Sequence, residues 1–257
     1  MKVIICDCPT EVAKLASEKI CNQVINFPES VLGLATGRTP LNTYQEIINT
    51  FKCSDISFSK VITFNLDEYI GISHQSEDSY HYYMEDNLFR HIDVNRENTN
   101  IPNGESGSLD QVCFDYEQLI INSGGIDLQL LGLGSNGHIG FNEPSSSLSS
   151  KTRVVTLANS TINDNASLIK DTEQKCNKAI TMGIGTILKA KEIVILATGK
   201  EKASAVASSI EGAVSAFCPA SSLQMHSKVT WIIDSDAAKK LKNTEYYLAA
   251  NSAEANC

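Results

Sequence analysis

Short continuous apolar runs recur along the chain, separated by stretches in which apolar residues return every three or four positions. The runs at 3–6, 31–35, 61–65, 127–133, 153–157, 192–198 and 228–234 read as strands. Runs such as LQLLGLG, apolar at successive positions, suit strands buried on both faces. The stretches at 11–24, 40–51, 79–91, 109–122, 200–211 and 235–242 carry the helical period. Thr39 is placed to cap the second of these helices, with Pro40 at its first position. The alternation predicts a doubly wound α/β fold, a mainly parallel, modified Rossmann-like sheet with helices on both faces. With no linker-like stretch or internal repeat, residues 1–243 read as a single domain and 244–257 as a helical or frayed tail.

Open parallel sheets bind ligands beyond the carboxyl ends of their strands, so the segments leaving those ends are where chemistry is expected. Four are polar, glycine-bearing or acidic: TGRTP after Ala35, LDEY after Asn65, GSNGHIGFNEP after Leu133, and ATGKEK after Leu196. In the third, Gly132 to Gly137 matches G-x-G-x-x-G, the pattern of a dinucleotide site. That site also needs a helix directly after the glycines and an acidic residue about 20 positions on. HIGFNEPSSSLSS is a poor helix and no acid lies near residue 157, so the glycines instead let the backbone turn and approach a ligand.

His138 by itself could be a histidine hydrogen-bonded within a loop. Asn136 two positions before it, Glu143 five after it and Asp67 leaving another strand make a different set: an imidazole oriented by an amide and a carboxylate, with a separate carboxylate as a second base. The Asp67–Glu68 pair also reads as a solvated turn, the usual fate of adjacent acids, and its position directly after VITFNL is what raises Asp67. In ATGRTP the backbone amides and the Thr36 and Thr39 hydroxyls can cradle a phosphate at a helix start, and Lys202 can add positive charge. There is no Walker sequence, no HExxH and no histidine pair at ligand spacing, so neither nucleotide hydrolysis nor a metal site is expected.

Composition narrows the partners. A formal charge of −9 without a basic stripe argues against nucleic acid. No window has the length of a membrane span, and MKVIICDCP is unlike a secretory signal, which predicts a soluble cytoplasmic protein. The eight cysteines form no C-x-x-C pair and read as reduced structural residues.

Four stretches together, LGLATGRTPLNTY (32–44), VITFNLDEYIG (61–71), SYHYYMEDNLF (79–89) and LGLGSNGHIGFNEP (131–144), resemble the glucosamine-6-phosphate deaminase family, and the likeness extends through AITMGIGTILKAKEIVIL and PASSLQMH. The resemblance implies that His138, assisted by Asn136 and Glu143, opens the sugar ring, and that Asp67 moves a proton between C2 and C1. It implies that Ala35, Thr36, Gly37, Arg38, Thr39, Gly137 and Lys202 bind the phosphorylated amino sugar, with no cofactor or metal. Homo-oligomers occur among such proteins. The products would be fructose 6-phosphate and ammonia. Galactosamine-6-phosphate deaminase, a 6-phosphogluconolactonase-like esterase and a silent sugar-phosphate sensor are the alternatives.

Three positions depart from the family pattern. Arg38 stands in a phosphate loop that is more often glycine-rich. STINDNASLIK places Ser167 where a lid arginine would fall. Val155 replaces a lysine that, with Arg153, would form an allosteric site for N-acetylglucosamine 6-phosphate. Arg38 is expected to act as the phosphate clamp in place of the lid arginine.

Overall fold

The computed structural model describes residues 1–158 and 177–255. Its main sheet contains β1 (Lys2–Cys6), β2 (Val31–Leu34), β3 (Ile62–Asn65), β5 (Thr99–Asn100), β6 (Leu128–Gly132), β9 (Glu192–Ala197) and β10 (Val229–Asp234). The strand order is β1-β10-β9-β6-β2-β3-β5, and every neighbouring pair is parallel. Side chains alternate between two apolar layers along each central strand. Leu131, Ile195 and Trp231 enter one layer, while Leu130, Val194 and Ile232 enter the other. Two buried faces explain why these strands read as unbroken apolar runs.

Helices α1 (Pro9–Asn26), α2 (Leu41–Cys53) and α3 (Tyr80–Asn87) cover one face. In α1, Val12, Ala16, Ile20 and Val24 recur every four residues and form the buried stripe. The other face is covered by α4 (Leu109–Asn122), the single turn α5 (Ile184–Ile187) and α6 (Ala203–Ile210). The final helix α7 (Thr244–Ala255) lies along β1, where the Asn251 side-chain amide donates to the Val3 carbonyl at 2.6 Å.

Several details differ from the sequence pattern. Helix α2 starts at Leu41 with Pro40 at the cap position, one residue later than expected, and no side chain caps it there. The stretch at 235–242 forms only the 3₁₀ turn Ala237–Lys240. The run at 153–157 is outside the main sheet: β7 (Arg153–Thr156) pairs antiparallel with β8 (Lys178–Thr181), which pairs antiparallel with β4 (Asp67–Tyr69). β4 is three residues long and begins with two acids, a composition that gives no strand signal.

The chain runs outward from β2 through β3 to β5, returns to place β6 on the other side of β2, and runs outward again through β9 and β10. The reversal lies between β2 and β6. These two strands pair only at Leu32–Leu128 and Gly33–Gln129, whereas β6 stays paired with β9 as far as Gly132–Leu196. Past Gly33 the neighbours separate, and the loops that follow them border a crevice at a topological switch point.

Candidate active site

A cavity of about 520 Å³ opens at this crevice. It is large enough for a phosphorylated monosaccharide. The whole loop 35–39 after β2 lines it, as do Asp67 after β3, His138 after β6 and Lys202 after β9. The four segments singled out from the sequence therefore converge, and the aspartate and imidazole about seventy positions apart face one space.

Asn136, Gly137 and Glu143 do not line the cavity but stand behind His138. The Asn136 amide oxygen accepts from the His138 backbone N–H at 3.1 Å and lies 2.7 Å from Nδ1 of the ring. An amide oxygen only accepts, so Nδ1 carries the hydrogen and Nε2 is left to serve as a base. Asn136 Nδ2 in turn donates to Glu143 Oε2 at 2.8 Å, which lies 3.6 Å from His138 Nδ1. When Nε2 gains a proton from the cavity side, this carboxylate faces the resulting imidazolium from the Nδ1 side.

The glycines of the loop have separate uses. Gly132 opens onto free space, as a ligand-facing glycine should. At Gly134 the room is filled by the imidazole: a Cβ there would lie 2.3–2.4 Å from His138 ring atoms. Gly137, with φ of +87°, makes the turn and accepts from the Ala220 N–H at 2.9 Å. Gly132 thus leaves open space at the cavity wall, whereas Gly134, also on that wall, makes room for the histidine.

Asp67 is 4% exposed. Burial, and secondarily the charge of Glu68, push its carboxyl from 3.8 up to about 8, against a lowering hydrogen bond from Thr36. Oδ2 sits against Gly140, where a Cβ would be 3.2 Å away. Glu68 is fully buried, not part of a solvated turn. Its Oε1 accepts from the backbone N–H of Tyr69 (2.8 Å) and Tyr80 (3.0 Å), and its Oε2 from the N–H of His81 (3.1 Å), with His81 Nδ1 at 3.0 Å.

Helix α3 supplies site residues that the sequence pattern passed over. The Tyr80 ring lines the cavity, and its hydroxyl shares the Thr36 side chain with Asp67. The Tyr83 hydroxyl donates to the Gly37 carbonyl at 2.6 Å and holds the loop that precedes α2. Both belong to the SYHYYM stretch, in which a run of tyrosines beside two charges was the available signal. Glu201 also lines the cavity, next to Lys202 in the 3₁₀ turn Lys200–Lys202.

Residues 7–231 match the family model described as glucosamine-6-phosphate isomerases/6-phosphogluconolactonase. The chain belongs to this family. It is 49% identical to the glucosamine-6-phosphate deaminase of Shewanella woodyi over 247 residues, covering 96% of this chain and 94% of the relative. It is 50% identical to that of a Thermoanaerobacter species over 245 residues, covering 95% and 97%. The structure superposes on a monomeric glucosamine-6-phosphate deaminase with a TM-score of 0.91 at 45% identity, covering 93% of this chain and all of that one. A 6-phosphogluconolactonase from Trypanosoma cruzi, at 20% identity and a TM-score of 0.74, shares the fold.

Within this member of the glucosamine-6-phosphate isomerase/6-phosphogluconolactonase family, residues 160–170 with Ser167 lie outside the described residues. Arg153 does not project alone: its guanidinium donates to the Asn142 side-chain oxygen at 2.8 Å and to Ser146 Oγ at 3.2 Å, bracing the turn after His138. Among the described residues no helix is long and apolar enough to cross a membrane.

Proposed function

We propose that this chain deaminates glucosamine 6-phosphate with water, yielding fructose 6-phosphate and ammonia. The observation that carries the reading is the shared cavity of Asp67 and His138, with the 35–39 loop and Lys202 on the same wall system. In this reading the phosphate sits against the amides of Gly37 to Thr39, with Arg38 and Lys202 supplying the positive charge. His138 Nε2 takes the proton from the anomeric hydroxyl and returns one to the ring oxygen, which opens the ring. Asn136 fixes the tautomer and Glu143 stabilises the imidazolium that forms in between.

Asp67 then removes the proton from C2, whose acidity rises with positive charge on the neighbouring nitrogen, and an enolamine forms. Delivery of that proton to C1 leaves an imine at C2. Water adds to the imine carbon, and ammonia departs as the C2 ketone forms. Each step is a proton transfer or an addition of water that positioned side chains can serve. The reading places the enzyme in the cytoplasm, where thiols such as those of Cys21 and Cys113 stay reduced. It also allows assembly as a homo-oligomer.

The test is a coupled ammonia assay on glucosamine 6-phosphate and on its C4 epimer. Release from the first, lost in Asp67→Asn, supports the reading. Binding of the sugar phosphate without ammonia release overturns it, and release from the epimer alone reassigns the substrate.

A further inference from the structure

Glu68 is a charged side chain, wholly buried, that the proposed chemistry does not use. Three backbone N–H groups donate to its carboxylate, those of Tyr69, Tyr80 and His81, and Nδ1 of the His81 ring lies 3.0 Å from Oε2. Three backbone N–H donors, two of them at a helix start, favour the charged form of a carboxylate, and against a charged Oε2 the His81 ring presents its Nδ1–H. Strand alternation turns Glu68 away from the cavity that Asp67 lines, so it stands directly behind the candidate base.

The same carboxylate ties Asp67 to α3. Two of its donors are the first backbone N–H groups of that helix, where a negative charge is favoured. Tyr80 and Tyr83 of α3 reach the Thr36 side chain and the Gly37 carbonyl. On its outer side the His81 ring stacks on His74 with centroids 3.7 Å apart, and His74 is bonded through its backbone N–H to Glu105 Oε2 at 3.0 Å. This outer pair borders a surface groove of about 290 Å³, so a line of contacts runs from the solvent to the rear of Asp67.

We propose that the Glu68–His81 pair is a positioning element for Asp67, a fixed negative charge seated behind the candidate base that sets the pH at which it can accept a proton. The inference rests on the reading of Asp67 as the base that moves the C2 proton. The other groups facing Asp67 are hydroxyls: Thr36 from the loop after β2, Tyr80 from α3, and Tyr116 from α4, whose hydroxyl donates to the Asn65 carbonyl at 2.7 Å. Across the cavity stand the charges of Arg38, Glu201 and Lys202, with His138. The charge of Glu68, the next residue on the strand, raises the proton affinity of the Asp67 carboxyl.

The experiment compares the pH profile of kcat/KM in the wild type and in Glu68→Gln, together with the titration of the Asp67 carboxyl. That titration is read by infrared difference against Asp67→Asn and needs no turnover, so it stands even where ammonia release fails. Loss of the rear charge is expected to move both midpoints down by about one pH unit or more, with KM on the alkaline plateau within about twofold of wild type. Unmoved midpoints, or an even loss of activity at all pH values, overturn the proposal. If Glu68→Gln does not fold, His81→Phe keeps the carboxylate and its three backbone donors but removes the ring N–H. Midpoints that move up support the proposal, and midpoints that stay or fall overturn it.

Discussion

Replacing Asp67 with Asn should stabilise the fold at neutral pH while removing activity. The carboxyl rises from 3.8 to about 8 on folding, chiefly through burial and next through the charge of Glu68. A carboxyl with higher proton affinity in the folded state holds a proton that the unfolded chain releases. Stability therefore falls as pH rises from about 4 to about 8, by roughly 1.4 kcal/mol per unit. At about pH 7 the interval above 3.8 is some three units, which makes the destabilisation about 4 kcal/mol. Asn keeps an acceptor for the Thr36 hydroxyl and nearly the same volume, but it does not titrate. For a chain of this size that difference corresponds to a rise in Tm of roughly 10 °C at neutral pH, shrinking to nothing near pH 4. Calorimetric unfolding of both proteins between about pH 4 and pH 8 measures it. A difference that is flat with pH, or largest at the acid end, would refute the burial argument. The same carboxyl must ionise to act as a base, so kcat/KM of the wild type should climb with an acid limb near pH 8.

Arg38→Ala should raise KM at least about tenfold with kcat changed little, as expected for loss of a phosphate contact made equally in the ground and transition states; steady-state kinetics with an unchanged KM would dismiss Arg38 as the clamp. Gly134→Ala sets a methyl group 2.3–2.4 Å from His138 ring atoms, so the ring must move. Its kcat should fall about a hundredfold or more while circular dichroism still reports a folded chain, the scale of losing a positioned acid/base. N-acetylglucosamine 6-phosphate should leave the rate curve unchanged, because Arg153 is engaged by Asn142 and Ser146 and Val155 offers no cation. Conversion of a sigmoidal curve into a hyperbolic one by that sugar would contradict this.

The sequence by itself determined the order of βα units and, through it, the rim on which chemistry could occur. Apolar runs buried on both faces must be central parallel strands, and parallel strands bring every loop after a carboxyl end to one edge. For that reason the segments carrying Asp67, His138, Lys202 and the 35–39 loop could be placed at one edge from the order of elements, while their roles came from the family resemblance. Tertiary structure decided what pairwise packing controls. The acid-rich β4 has no strand signal of its own and exists because β8 pairs with it, and a half-buried β7 joins that small sheet instead of the large one. Gly134 makes room for the imidazole, Glu68 is buried because the start of α3 folds over it, and Tyr80 and Tyr83 enter the site from a helix whose pattern shows only which face is apolar. Local periodicity records burial, which a strand or helix expresses along its own length. It carries no record of which distant donor meets a given acceptor, because that depends on how the elements dock.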